Sequence, residues 1–201
     1  MQSEITHTKS TQTVVGTEFY EIFNMELKTY MRPEHGKIGL IEMCQDIKSH
    51  LSTDKIVIVE IGSYMGESAE IFAQQFPNAT IYCVDPFANG YDESDIASTA
   101  DYLDVEQQFD LRTKQYSNIF KIKDFSKNVF IETDVVYIDG CHKYECIIED
   151  IQHWLPQTKS IISGHDYYEN GAWIGVKTAV NELLSIPDKT YSDGSWLKKL
   201  L

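Results

Sequence analysis

Two short segments of the sequence place carboxylates next to histidines. Asp139 and His142 follow one apolar run, and His165 and Asp166 follow another. The carboxyl ends of adjacent parallel strands meet at one edge of a sheet, so we expect these four side chains to lie close together. Carboxylates there can bind a divalent cation such as Mg²⁺, and histidine also suits Mn²⁺, Fe²⁺ or Zn²⁺. The predicted metal ligands are Asp139, His165 and Asp166. The alternative is that Asp139 caps a turn and His142 packs at a helix start.

A turn with two glycines forms a second candidate site. It follows an apolar run and reads Glu60-Ile61-Gly62-Ser63-Tyr64-Met65-Gly66-Glu67-Ser68. Gly62 lets the chain turn sharply and lets a ligand approach the backbone, while Gly66 opens a helix whose first amide nitrogens are free. The dinucleotide-binding pattern GxGxxG does not fit, because Tyr64 and Glu67 stand where it needs glycine. The next apolar run ends in Asp85, whose carboxylate can accept hydrogen bonds from both hydroxyls of a ribose.

The elements that would position both sites alternate between strands and helices. The strands are short apolar runs rich in β-branched residues, and the helices have apolar residues at helical spacing. We predict strands at 56–61, 80–85, 118–123, 134–139 and 160–164, and helices at 19–30, 36–52, 67–76, near 147–155 and near 176–184. This alternation predicts an α/β fold with a doubly wound parallel sheet and right-handed crossovers.

A long polar segment, 86–117, separates the second predicted strand from the third. It exceeds a minimal crossover in length and is rich in Asp and Glu. One interpretation is a solvated helix and loop. The other is a mobile lid over a substrate pocket, since long excursions in compact domains are often functional.

Composition excludes several classes of function. The 17 Lys and Arg residues against 31 Asp and Glu residues give a formal charge of −14, and an acidic surface repels phosphates, so nucleic acid is not an expected partner. No apolar run is long enough to span a membrane, and the first residues lack a signal-peptide pattern, so we expect a cytoplasmic protein with no membrane partner. The cysteines form no CxxC pair, so neither a disulfide framework nor a structural zinc site is expected. They are Cys44, Cys83, Cys141 and Cys146.

Several blocks of the sequence resemble class I S-adenosylmethionine-dependent methyltransferases. The spacing ExGxxxGxS at 60–68 is the one these enzymes use. A group of small class I enzymes shares the more specific patterns IDGxHxYexxxxDixxWlp, GHDY and gVkxAV, which here occupy 138–156, 164–167 and 175–180. The resemblance departs at Thr158-Lys159-Ser160, where that group usually has a Gly-Gly turn. It implies a Rossmann-like seven-stranded sheet with helices on both faces, ending in an antiparallel hairpin that 189–191 and 195–198 would supply.

The resemblance implies S-adenosyl-L-methionine as the cofactor and assigns residues to its parts by position. The methionine part would contact Glu60, Gly62, Ser63 and Gly66. The ribose would contact Asp85, and the adenine would contact Asp124, Phe125 and Ser126. Ser68 and Asp139 are also predicted to bind the cofactor.

Catechol-type O-methyltransferases hold Mg²⁺ at the corresponding pair of strand ends and place a Lys base three positions after the first metal-binding Asp. Here His142 occupies that position. An unperturbed pKa of about 6.5 would suit His142 to remove a proton from a metal-activated hydroxyl at neutral pH. The resemblance thus implies His142 as the base, with Asp139 and Asp166 orienting the hydroxyl or binding the metal.

The sequence as a whole predicts a methyltransferase core at 55–201 and an N-terminal tail with helices at 1–54 that cover the pocket. The predicted reaction moves a methyl group to a hydroxyl of a small acceptor, such as a sugar or another polyhydroxyl compound; nitrogen is the less favoured target. Two alternatives stay open. One is a metal-dependent hydrolase that uses the Asp and His cluster, and the other is a non-catalytic member of the fold that binds cofactor or a partner only. A homo-oligomer is compatible with the sequence.

Overall fold

The computed structural model describes residues 26–28, 34–93, 95–171 and 173–200. The predicted N-terminal tail and most of the predicted helix at 19–30 lie outside the described residues. The helices are α1 (Glu34–Leu51), α2 (Glu67–Gln75), α3 (Tyr102–Thr113), α4 (Tyr144–Trp154) and α5 (Ile174–Leu184). The strands are β1 (Val57–Ile61), β2 (Thr80–Val84), β3 (Ile119–Ile122), β4 (Thr133–Ile138), β5 (Thr158–Gly164), β6 (Lys189–Thr190) and β7 (Trp196–Lys199).

The strands form one seven-stranded sheet in the order β3-β2-β1-β4-β5-β7-β6. The first five strands in this order are parallel, β7 runs antiparallel to β5, and β6 runs antiparallel to β7. The predicted sheet and terminal hairpin are therefore confirmed. The strand order reverses between β1 and β4, which is where doubly wound sheets bind ligands. The turns after β1 and β4 both lie at that edge.

Hydrophobic packing covers both faces of the sheet. On one face, α1, α2 and α3 contribute buried residues such as Met43, Phe72 and Phe109 to a cluster that includes Ile58 of β1. On the other face, α4 and α5 pack their apolar sides against a cluster that includes the next residue of β1, Val59. Successive side chains of a strand point to opposite faces, so a strand buried on both sides needs the continuous apolar run seen in β1.

The acidic segment 86–117 is docked on the core, so the expectation of a solvated helix and loop is wrong for its second half. Helix α3 buries Phe109 and the side chain of Arg112. The Arg112 guanidinium donates a hydrogen bond of 3.0 Å to the carbonyl oxygen of Met65 and one of 2.9 Å to the Glu70 carboxylate, and it lies 3.6 Å from Glu67. These contacts fix α3 to the start of α2.

Helix α1 packs against α2 and the terminal hairpin. Its Asp46 carboxylate accepts a hydrogen bond of 2.7 Å from the hydroxyl of Tyr191, which precedes β7. None of the described residues among 34–54 borders the two cavities at the strand ends. The predicted covering role of the segment 1–54 therefore has no support from its described part and stays a prediction. Within the described ranges, no helix combines the length and the apolar character needed to cross a membrane.

Candidate active site

The turn after β1 brings two strand ends into close contact. Gly62 and Gly66 have φ values of +80° and +78°, in the left-handed region that other residues rarely adopt. A Cβ on Gly62 would lie 2.6 Å from the Cα of Gly140, at the end of β4. A Cβ on Gly66 would lie 3.0 Å from the ring of Phe109. Both glycines are therefore required by the backbone and its neighbours, which explains the pattern seen in the sequence.

Asp85 holds this turn from the end of β2. One of its carboxylate oxygens accepts hydrogen bonds of 3.0 and 2.9 Å from the backbone N–H groups of Ser63 and Tyr64, and the other accepts one of 2.7 Å from Phe87. Burial raises the pKa of this carboxyl, against the lowering effect of the three backbone hydrogen bonds. Asp85 also borders the larger cavity described below. Its predicted contact with a ribose remains a prediction, for which the carboxylate still has lone pairs available.

Glu60 is fully buried beneath the same turn. Burial raises the pKa of its carboxyl, while the nearby hydroxyls of Ser68 and Ser63 lower it. Within the described part of the chain, these contacts do not reach full hydrogen-bond geometry: the Glu60 oxygens and the Ser63 hydroxyl are buried without a well-formed hydrogen bond. Buried polar atoms are normally satisfied. The turn therefore fits a ligand that brings hydrogen-bond donors, as the predicted methionine end of the cofactor would.

The larger of two cavities at the strand ends has a volume of about 420 Å³. It extends from the Gly62 turn to the turn after β3, where Phe125 and Ser126 border it. Asp124 does not border it. The predicted contacts of these three residues with the adenine stay predictions, which this cavity favours for Phe125 and Ser126 and not for Asp124. The Asp124 carboxylate instead accepts hydrogen bonds of 2.7 Å from the backbone N–H of Phe125 and from the side-chain amide of Asn128, because the turn folds it back onto its own backbone.

Asp150, on α4, borders the larger cavity beside Ser126. The Ser126 hydroxyl donates a hydrogen bond of 2.6 Å to Asp150 and accepts one of 2.8 Å from the indole N–H of Trp154. Burial raises the pKa of the Asp150 carboxyl to about 6, although the hydrogen bond from Ser126 lowers it. The sequence motif contains Asp150, but the sequence analysis assigns it no role. Asp150 and Trp154 are four residues apart, so they lie on the same side of a helix, and that spacing could have indicated a shared contact.

The smaller cavity, of about 210 Å³, lies next to the larger one. It contains His142, His165 and Asp166 together with the rings of Tyr168 and Trp173. The two cavities share a wall, which consists of Gly62, Tyr64, Tyr91, Asp139 and Gly140. Asp139 therefore stands where the two spaces meet.

The structure brings together the four side chains that the sequence placed at this edge. His142 Nε2 lies 2.9 Å from Asp166 Oδ2 and 4.0 Å from Asp139 Oδ1. His165 Nδ1 lies 3.2 Å from Asp166 Oδ2 and 3.5 Å from Asp139 Oδ1. A fifth group, Asp95, approaches His142 Nδ1 to 3.3 Å from the other side. Asp139, His142, His165 and Asp166 thus form one cluster, called the acid–histidine cluster below.

Carboxylates on both sides of His142 change its acid–base behaviour. Burial alone lowers the pKa of this imidazole, but the hydrogen bonds to Asp166 and Asp95 and the charges of Asp166 and Asp139 outweigh burial and raise the pKa to about 10. For Asp166, burial raises the pKa, and the hydrogen bonds from His142 and His165 reverse that effect and lower it below its usual value. The expectation of an unperturbed His142 pKa is therefore wrong. In the absence of a bound cation, these contacts favour the protonated form of His142.

The acid–histidine cluster also has the spacing of a metal site. Ligand atoms of Asp139, His142 and Asp166 all lie within 4.8 Å of one another. The predicted set named His165 in place of His142, and the distances above leave both imidazoles close to the carboxylates. Two carboxylates with an imidazole suit Mn²⁺, Fe²⁺ or Zn²⁺ better than Mg²⁺, which prefers oxygen ligands and water.

Asp95 reaches the cluster from the acidic segment, and sequence reasoning missed it as a site residue. It precedes a short 3₁₀ turn, Ile96–Thr99, and accepts a hydrogen bond of 2.9 Å from the N–H of Ala97. Trp173 was also missed; its ring centroid lies 4.9 Å from that of His142. Nothing in the local sequence distinguishes Asp95 from the other acids of the segment, because its role depends on how the whole segment docks.

Cys141 and Cys146 are joined by a disulfide bond, contrary to the expectation from the sequence. The turn after β4 and the first turn of α4 fold back on each other and bring the two Cα atoms to 5.8 Å, a separation that a disulfide can span. Cys44 and Cys83, in contrast, are fully buried thiols.

The sheet order, the glycine turn at the switch point and the acid-ended second strand define the class I methyltransferase fold. Residues 59–167 match the family described as a methyltransferase domain. Because the match covers more than half of the chain, the protein belongs to this family, which confirms the resemblance drawn from the motifs. No curated protein matches the chain.

Solved structures share the fold at low sequence identity. The crystal structure of the calicheamicin methyltransferase CalS11 superposes with a TM-score of 0.61 at 14% identity, covering 98% of this chain and 99% of CalS11. An apo structure described as CalS11, TDP-rhamnose 3′-O-methyltransferase, gives 0.56 at 14% identity and 90% coverage of both chains. Cofactor-bound Rv0187 from MTB gives 0.53 at 13% identity, covering 89% of this chain and 84% of Rv0187. These matches establish the fold.

Proposed function

We propose that the protein uses S-adenosylmethionine to methylate a hydroxyl group of a small uncharged acceptor. The observation that carries this proposal is the meeting of two cavities at Asp139. The larger cavity borders the glycine turn, Asp85 and Phe125, and the smaller one contains the acid–histidine cluster. In a methyl transfer, the acceptor oxygen must be held in line with the methyl group of the cofactor, so both substrates are bound at the same time. Two adjoining cavities with a reactive cluster at their junction suit that requirement.

The residues around the glycine turn and the larger cavity suit the cofactor. In the larger cavity, Asp85 suits its ribose hydroxyls, and the exposed ring of Phe125 offers a surface for its adenine. Its amino acid end would lie at the turn itself, where the Ser63 hydroxyl borders the smaller cavity and Glu60 is buried beneath. S-Adenosylmethionine supplies an electrophilic methyl group bound to a positively charged sulfur. The chain must therefore hold the cofactor in place and present the acceptor oxygen to that methyl group.

The smaller cavity fits an acceptor without negative charge. Among its described lining residues there is neither Lys nor Arg, whereas Glu67, Asp95, Asp139 and Asp166 all border it. The rings of Tyr168 and Trp173 add apolar surface of the kind that packs against the carbon face of a sugar. A polyhydroxyl compound such as a sugar therefore remains the preferred acceptor class. CalS11 is described as a TDP-rhamnose 3′-O-methyltransferase; it shares the sugar hydroxyl with this proposal, but a TDP-sugar carries the negative charge that this cavity disfavours.

The acid–histidine cluster would bind the acceptor hydroxyl and take up its proton. As the new oxygen–carbon bond forms, the oxygen gains positive charge and its proton becomes strongly acidic. A hydrogen-bonded carboxylate is then a sufficient proton acceptor. Because Asp139, His142 and Asp166 lie within a few ångströms of one another, they titrate as one unit, and the proton is shared among them. This proposal replaces His142 as the sole base.

A metal-assisted form of the same reaction is the second candidate. It rests on the spacing of the Asp139, His142 and Asp166 ligand atoms. A divalent cation there would polarise the hydroxyl oxygen. Activity that disappears on chelation and returns with Mn²⁺ or Zn²⁺ would establish this form, and activity that persists in EDTA would exclude it.

Calorimetric titration with S-adenosylhomocysteine tests the cofactor assignment. We expect saturable binding, weakened at least about tenfold by Asp85→Ala, because the turn loses three backbone hydrogen bonds. Asp124→Ala is the matched control, since Asp124 also accepts two hydrogen bonds in a turn but lies outside the cavity. Absence of binding at high micromolar ligand would refute the proposal and favour the hydrolase alternative.

Transfer of a radiolabelled methyl group into a panel of neutral sugars and polyols tests catalysis. His142→Ala should reduce turnover strongly while the affinity for S-adenosylhomocysteine stays near that of the wild type, because His142 borders only the smaller cavity. The reverse pattern would show that the two cavities have been assigned to the wrong substrates. Binding without any transfer, with and without metal, would favour the non-catalytic alternative.

A further inference from the structure

Cys141 and Cys146 stand between the two parts of the site. Both border the larger cavity, and the residues that they enclose include His142 of the smaller one. Cys141 follows the β4 end at Asp139 and Gly140, and Cys146 lies in the first turn of α4. The disulfide thus closes a ring of six residues across the segment that connects the proposed cofactor cavity to the acid–histidine cluster.

The pair differs from the other cysteines in accessibility. Cys44 and Cys83 are fully buried, whereas Cys141 and Cys146 are partly exposed and face a cavity open to solvent. A reagent or a redox partner can therefore reach the pair and not the buried thiols. The same geometry means that a ligand filling the larger cavity would shield the pair.

Both redox states fit the surroundings. In the oxidised state the two sulfurs bond to each other. In the reduced state the Cys141 thiol would have a hydrogen-bond acceptor, since the Cys141 sulfur lies 3.8 Å from the carbonyl oxygen of Tyr91. Tyr91 belongs to the wall that the two cavities share. Reduction would therefore break the covalent bond between Cys141 and Cys146 and leave a weaker hydrogen bond from Cys141 to Tyr91 of the acidic segment.

We propose that Cys141 and Cys146 form a redox modification site that controls how firmly the wall between the two cavities is held. The oxidant is a low-molecular-weight disulfide of the glutathione class. One cysteine thiolate attacks a sulfur of that disulfide and releases one thiol, and the second cysteine thiolate then displaces the other from the mixed disulfide. The protein pair loses two electrons and two protons, and the oxidant becomes two thiols.

The structural consequence is a change in order at the cofactor cavity. The disulfide restricts the backbone between β4 and α4, and a restricted wall binds its ligand at a smaller entropic cost. The oxidised protein should therefore bind S-adenosylhomocysteine more tightly than the reduced protein. This consequence rests on the proposed function, whereas the existence of the redox pair does not.

The first experiment counts thiols. The full-length protein is equilibrated in glutathione buffers of different ratios, acid-quenched, denatured, alkylated and weighed by mass spectrometry. Oxidising buffers should leave two alkylated cysteines, Cys44 and Cys83, and reducing buffers four. The double variant Cys141→Ser/Cys146→Ser should show two throughout. Four alkylated cysteines in every buffer, or the loss of other pairs, would overturn the proposal.

The second experiment measures affinity in the two states. Titration with S-adenosylhomocysteine should give a dissociation constant roughly tenfold higher for the reduced protein, with the double variant resembling the reduced protein in both buffers. Bound ligand should also slow alkylation of the reduced pair. Equal affinities of protein shown by mass to be oxidised and reduced would overturn the control function. Absence of binding in both states would refute the proposed function, while the thiol count would still decide whether the pair exists.

Discussion

Replacing Gly62 by alanine should cost more stability than an ordinary glycine substitution and should abolish cofactor binding. An alanine held at a φ of +80° pays about 1–2 kcal/mol for the left-handed conformation. Its Cβ would also lie 2.6 Å from the carbonyl carbon of Asp139, so the turn after β4 must move. The hydrogen bond of 2.8 Å from the Asp139 N–H to the Ile61 carbonyl would then be lost, at about 1 kcal/mol. Together these two contributions give an expected loss of about 2–3 kcal/mol in the free energy of unfolding.

Two glycines elsewhere provide matched controls. Gly90 has nearly the same φ, +81°, and a Cβ there would have no atom within 4 Å, so Gly90→Ala should cost only about 1–2 kcal/mol. Gly171 also has open space around it and borders neither cavity, so Gly171→Ala is the control for binding. Urea denaturation and calorimetric titration with S-adenosylhomocysteine are the assays. Equal destabilisation by Gly62→Ala and Gly90→Ala, or wild-type affinity of folded Gly62→Ala, would refute the reasoning.

Three further changes test other parts of the structure. Arg112→Met should lower the free energy of unfolding by about 3–5 kcal/mol in urea denaturation, because it leaves the half-buried Glu70 and the buried Glu67 without their cation. The control is Lys121→Met, which removes a cation at the surface and should cost less than about 1 kcal/mol. A similarly small loss for Arg112→Met would contradict this prediction. The Asp150 carboxyl has a folded pKa of about 6 against an ordinary 3.8, so the folded state binds its proton more tightly and stability should fall as the pH rises from 3.8 through 6. Asp150→Asn should flatten that part of the pH profile of the unfolding free energy, and an unchanged slope would show that Asp150 is not the titrating group. Chelation with EDTA should change the affinity for S-adenosylhomocysteine by no more than about twofold, because the possible metal ligands lie around the smaller cavity. A larger loss of affinity would indicate that a metal ion contributes to the cofactor site instead.

The sheet and the edge that carries the site could be predicted because they depend on local signals. A buried parallel strand needs an apolar run, and the residue after the run must lie at the sheet edge, which fixes Asp85, Asp139 and Asp166. The glycine spacing was readable for the same reason, since left-handed backbone at Gly62 and Gly66 admits few other residues.

The remaining features depend on contacts between distant segments. Asp95 meets His142 only because the acidic segment docks through Arg112, and the apolar pattern of α3 does not specify that position. The disulfide depends on how the turn after β4 folds onto α4, which the spacing of Cys141 and Cys146 does not determine. The Asp124 carboxylate faces its own turn rather than the cavity, and the sequence does not specify that side-chain direction. The His142 pKa follows from these contacts and was unpredictable without them.

A crystal structure of the protein with S-adenosylhomocysteine tests the central claim most directly. We expect the adenosine part of the ligand to fill the larger cavity, with its ribose at Asp85 and its adenine beside Phe125. Its sulfur should then lie at the shared wall next to Asp139, pointing towards the acid–histidine cluster. Density for the adenosine part in the smaller cavity, or a sulfur directed away from Asp139, would contradict this assignment.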